Sequence, residues 1–161
     1  MPETGVYRIR SYLDAHLVLE LKDGKTWGRV QLAKLNTTNA AQTWKLSQVD
    51  GQWIFDNESS DNQLLSPLAD NSHSQLFSSG LKPNNNEILR WKLSQYEDGS
   101  FRIENAAFHG QVVDLQEAKA QPEQPVITFP YRDENVGSGS LPWLQAEKKG
   151  FWWLRTADGN I

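Results

Sequence analysis

Apolar and polar residues alternate with a period of two over short runs, and no stretch sustains a 3.6-residue apolar period, so the chain predicts strands and no long helix. Leu17, Leu19 and Leu21 form one such run, with Glu20 on the opposite face. Val30-Gln31-Leu32, Gln75-Leu76-Phe77 and Pro125-Val126-Ile127 mark a third strand in each repeat. Between them lie polar segments rich in turn formers, such as Asp23-Gly24-Lys25, Pro83-Asn84-Asn85-Asn86 and Gly137-Ser138-Gly139-Ser140.

The strand pattern repeats. Trp44-Lys45-Leu46-Ser47-Gln48 recurs as Trp91-Lys92-Leu93-Ser94-Gln95, and an Asp-Gly turn and an aromatic strand follow each copy. Those strands are Trp53-Ile54-Phe55-Asp56-Asn57 and Phe101-Arg102-Ile103-Glu104-Asn105, and Tyr7-Arg8-Ile9-Arg10-Ser11 is a third version. Leu141-Pro142-Trp143-Leu144-Gln145 supplies the third Trp segment. With Tyr7, Trp53 and Phe101 in register, the position thirteen residues later holds Glu20, Ser66 and Asp114, each flanked by apolar residues. The units cover about 5–50, 51–98 and 99–148. Three units of four short strands predict an all-β closed barrel rather than a parallel α/β sheet.

Length and composition narrow the reading. A chain of 161 residues fits one core. Sixteen Lys+Arg against twenty Asp+Glu give a net charge of -4 without a basic run, which argues against nucleic acid as a partner. Cysteine is absent, so disulfides, thiol nucleophiles and thiolate metal sites are excluded together. No apolar run is long enough to span a bilayer, and Met1-Pro2-Glu3-Thr4 leads into strand-like sequence without a signal-peptide pattern, so a cytoplasmic location is expected. Seven Trp are many for this length. Trp44, Trp91 and Trp143, with Tyr7, Trp53 and Phe101, occupy repeat-equivalent positions and are expected in the core.

The aromatic-x-Ile-x-Asn strand, the Leu-Glu-Leu and Val-Asp-Leu strands and Gln42-Thr43-Trp44 together resemble the ricin-B-like lectin family, in its cysteine-free fungal form, over residues 5 to about 148. The resemblance implies a β-trefoil fold and a carbohydrate-binding, non-enzymatic module for galactose-type or related glycans and glycoproteins. In related lectins a carboxylate on the second strand meets an aromatic ring at the end of the third strand or in the turn after it. Asp114 and Phe129 match those places in the third unit, with Tyr131 as a nearby ring, Asn135 as an amide and His109 at the mouth. A second site in the first unit would use Glu20 and Asp23, with Trp27 replacing the ring missing at Ala33. Ser66-Pro67 leaves the second unit without a carboxylate.

Catalysis is not expected. His16, His73 and His109 lie one per unit without metal-ligand spacing, and no nucleophile elbow, phosphate loop or cysteine nucleophile is present. Neither cofactor nor metal is implied. The rival reading is a protein-binding trefoil, a cysteine-protease inhibitor or a lectin-like accessory subunit, making contact through residues 69–87 and 120–130. Gly150-Phe151-Trp152-Trp153-Leu154-Arg155 reads like the first strand of a fourth unit, about 150–156, and is expected to pair with the N-terminal strand or with a second chain as a homodimer.

Overall fold

The computed structural model describes residues 2–25, 27–61, 63–67, 74–82, 86–97, 99–131 and 143–148. Among the described residues, twelve strands run in three sets of four. The first unit contains β1 (Gly5–Ser11), β2 (Leu17–Leu21), β3 (Val30–Lys34) and β4 (Trp44–Val49). The second contains β5 (Gln52–Asn57), β6 (Leu64–Pro67), β7 (Ser74–Ser79) and β8 (Trp91–Gln95). The third contains β9 (Phe101–Asn105), β10 (Gln111–Leu115), β11 (Val126–Pro130) and β12 (Trp143–Lys148). The helices among the described residues are single 3-10 turns, as the lack of helical periodicity predicts.

Pairing explains the repeat. Strands β1, β4, β5, β8, β9 and β12 each pair antiparallel with the next, and β12 returns to β1, so six strands close a barrel without an open edge. The register is conserved around it: Tyr7 faces Trp44, Trp53 faces Trp91, and Phe101 faces Trp143. The closing strand is therefore β12, with Ile9 opposite Ala146 and Ser11 opposite Trp143. The suggested fourth-unit strand, about 150–156, lies outside the described residues. Hairpins β2–β3, β6–β7 and β10–β11 cap one end of the barrel and bridge to one another through Arg29–Phe77, Gln31–Pro125 and Ile127–Gln75.

One core joins barrel and cap. It contains Trp44 and Trp91, both without exposed surface, together with Trp53, Phe55, Leu19, Leu32, Leu65, Leu76, Val113 and Val126. Each buried indole has a partner: Trp44 Nε1 donates to Leu19 O and Trp91 Nε1 to Leu65 O, both at 3.1 Å. Asn57 and Asn105 end the aromatic strands for an equally local reason. Their buried amides donate to Ala41 O (2.9 Å) and Ile88 O (2.8 Å) and accept from the backbone N–H two residues on. Ser11 accepts from Leu13 N in the same way. Each hairpin turns one face into this core, and the other face carries Glu20, Ser66 or Asp114.

Candidate functional site

In the first unit the outer face of β2–β3 aligns Glu20 with Gln31 and Val18 with Ala33. The Glu20 carboxylate is half-buried and held by three side-chain amides. Asn39 Nδ2 and Gln42 Nε2 donate to Oε1 at 2.9 and 3.1 Å, and Gln31 Nε2 donates to Oε2 at 3.1 Å. Gln42 is fully committed, because it also donates to Lys34 O and accepts from Asn36 N. Asn39 caps the 3-10 turn Ala40–Gln42 by accepting from Ala41 N. The carboxylate therefore sits in a fixed orientation, and Oε2 keeps acceptor capacity for a ligand hydroxyl. In front of it opens a polar cleft of about 390 Å³ lined by Glu20, Leu21, Asp23, Gly24, Asn39, Ala40, Ala41 and Ser59. Asp23 stands exposed at its rim with φ 58°, and Gly24 follows at φ 59°.

The second unit shows what happens when the polar pair is lost. Ser66 replaces the carboxylate and Leu89 replaces Gln42, and Leu89 packs with Ile54, Leu64 and Val49 in a small apolar cluster. Ser66 is buried and its hydroxyl donates to the carbonyl of Pro67.

In the third unit Asp114 aligns with Ile127 and Val112 with Phe129, so Asp114 and Phe129 share the outer face of their hairpin. Asp114 is only 2% exposed, and its Oδ1 accepts from Leu115 N at 2.8 Å. Phe129 and Tyr131 are half-buried and His109 is exposed. Tyr131 N donates to Gly110 O at 2.7 Å, and the guanidinium of Arg102 lies 4.1 Å from the Tyr131 ring centre. Asn135 lies outside the described residues.

Trp27 departs from expectation. It does not line the Glu20 cleft; it stacks on Phe77 of the second unit, with ring centres 5.4 Å apart and planes 18° apart. Backbone bonds set this direction: Trp27 N donates to Ser78 O and Ser78 N donates to Gly28 O, which ties the β2–β3 tip to β7. Asn39, Gln31 and Ser59 were not singled out from sequence. A signal existed for Asn39, since Asn86 stands at the same distance before Trp91 and caps the equivalent turn.

A family model described as ricin-type beta-trefoil lectin domain-like matches residues 40–129. The chain belongs to this family. Among solved structures, a mosquitocidal holotoxin superposes with a TM-score of 0.81 at 17% identity over 94% of this chain, which spans 18% of that protein's length. The Rhizoctonia solani agglutinin superposes at 0.73 with 20% identity, over 89% of this chain and 95% of that one. The Macrolepiota procera ricin B-like lectin, solved in complex with lactose, superposes at 0.70 with 17% identity, over 92% of this chain and 99% of that one. At these identities the likeness shows the β-trefoil fold. No curated protein sequence matches the chain significantly. Among the described residues of this ricin-type trefoil, no helix is long and apolar enough to cross a membrane.

Proposed function

We propose that the protein is a non-enzymatic lectin that binds galactose-type glycans, with its principal site in the first-unit cleft around Glu20. The observation that carries this reading is the Glu20 carboxylate, solvent-reachable and fixed by Gln31, Asn39 and Gln42. A pair of vicinal sugar hydroxyls needs such a preset acceptor, and amide N–H groups and the Asp23 carboxylate stand beside it. Family membership and the lactose complex of the Macrolepiota procera lectin support a galactose-containing ligand. Ala33 puts no ring in this cleft, so affinity per site is weak and useful binding comes from several sites or subunits.

A second site in the third unit is supported by Phe129, which shares the outer face of its hairpin with Asp114, and by Tyr131 beneath Arg102. The burial of Asp114 supports ranking this site second to the Glu20 cleft. Titration of lactose into wild type, Glu20→Gln and Asp114→Asn tests the assignment. Glu20→Gln is expected to weaken binding by at least about tenfold with unchanged circular dichroism. Loss in Asp114→Asn alone would move the principal site to the third unit.

A further inference from the structure

Trp27 is 56% exposed, although the loop position it occupies needs no aromatic residue. The third unit supplies the comparison. Glu123 has φ 66° against 62° for Trp27. Glu123 N donates to Leu32 O and Leu32 N donates to Gln124 O, as Trp27 N donates to Ser78 O and Ser78 N to Gly28 O. The left-handed backbone is thus a demand of the interlocked cap, met in the third unit by an exposed glutamate. The backbone conformation therefore does not account for the indole.

Its setting is preorganised. One face of Trp27 lies on Phe77, and Phe77 is itself held by the Arg29–Phe77 bridge and aligned with Ser66 on the outer face of the second unit. Ser78 Oγ donates to Lys25 O at 2.9 Å and fixes the loop on the other side. With more than half its surface open, the indole presents its second face to solvent at little ordering cost to a ligand. In the chain it is flanked by Lys22, Lys25 and Arg29, all exposed and without an ion-pair or side-chain hydrogen-bond partner among the described residues. The acidic side chain in this segment is Asp23, at the rim of the Glu20 cleft. Residues 22–29 thus carry three cations against one carboxylate, on a chain of net charge -4.

We infer that Trp27, backed by Phe77 and flanked by Lys22, Lys25 and Arg29, is a further glycan-contact surface, distinct from the Glu20 cleft and the third-unit site, that takes a carboxylated pyranose, the C–H face of the sugar on the indole and the carboxylate toward the cations. This rests on the carbohydrate-binding reading and adds a ligand class to it. A purely apolar patch would take a neutral ring; the unpaired cations select an acidic one.

The test compares cellobiouronic acid with cellobiose, and lactose as the probe of the Glu20 cleft, by titration against the whole chain. Wild type and Trp27→Phe are expected to bind cellobiouronic acid about tenfold more tightly than cellobiose. Trp27→Ala is expected to lose that binding, and Lys25→Gln/Arg29→Gln to lose the preference for the acid, both with unchanged circular dichroism and lactose affinity. Cellobiouronic acid should also quench the emission of exposed indole in wild type but not in Trp27→Phe. Equal affinity for the two disaccharides overturns the inference, as does Trp27→Ala that binds like wild type. Loss of the acid in Glu20→Gln but not Trp27→Ala also overturns it, by assigning the acid to the cleft. Absence of lactose binding, with acid binding retained and dependent on Trp27, defeats the Glu20 assignment and leaves the Trp27 surface standing.

Discussion

The indole N–H of Trp44 donates to the carbonyl of Leu19 across 3.1 Å, joining the last strand of the first unit to the strand that bears Glu20. Leu19 and Glu20 are neighbours with opposite facing, so this bond anchors the inner side of the site strand while the amides hold its outer side. Trp44→Phe leaves a buried carbonyl without its donor and a void beside it. The expected cost is about 2–4 kcal/mol in chemical denaturation, whereas exposed Lys45→Ala should fall within about 0.5 kcal/mol of wild type.

Asn57 is 1% exposed; it donates to Ala41 O and accepts from Ser59 N, and both partner residues line the Glu20 cleft. Asn57→Ala strands two backbone groups. Stability should fall by about 1–3 kcal/mol, and lactose affinity should fall with it even where the protein is fully folded.

Gly24 and Gly51 separate backbone strain from loss of space. Both have positive φ, 59° and 78°, so alanine at either should cost about 1 kcal/mol. A Cβ at Gly24 would lie 3.1 Å from Ser59, whereas none at Gly51 would meet an atom within 4 Å. Thermal melting should show loss in both variants, the larger in Gly24→Ala, and only Gly24→Ala should weaken glycan binding.

Burial raises the pKa of Asp56 above the ordinary carboxylate value, reinforced by Asp61 and Glu58 and opposed by the hydrogen bond from Gln63 N and by Lys45. The folded state therefore holds this proton more tightly than the unfolded chain. The resulting stabilisation is complete below the unfolded carboxylate pKa and is lost as pH rises through the higher folded one. Asp56→Asn, which keeps the acceptor for Gln63 N, should gain stability relative to wild type as pH rises from about 3 to 7. Melting curves at both ends of that range check the sign.

The fold was legible because each unit restates the same register: the identical Trp-Lys-Leu-Ser-Gln segments are β4 and β8, and the aromatic-x-apolar-x-Asn segments are the strands beside them. Positions on one strand, such as Glu20 and Asp114, were legible for the same reason. Contacts made across loops were not. Sequence spacing does not reveal that Asn39 and Gln42 turn back onto Glu20, that Asp114 is closed to solvent, or that Trp27 leaves its own unit for Phe77. Each depends on how one segment lies over another.

Binding of the whole chain to an array of immobilised galactose-terminated glycans, with free lactose as competitor and papain inhibition measured in parallel, tests the lectin reading most directly. The predicted result is a signal that free lactose displaces, that is lost in Glu20→Gln, and that is accompanied by no inhibition of papain. No glycan above background, together with stoichiometric inhibition of papain, would contradict it and make the trefoil a protein-binding scaffold.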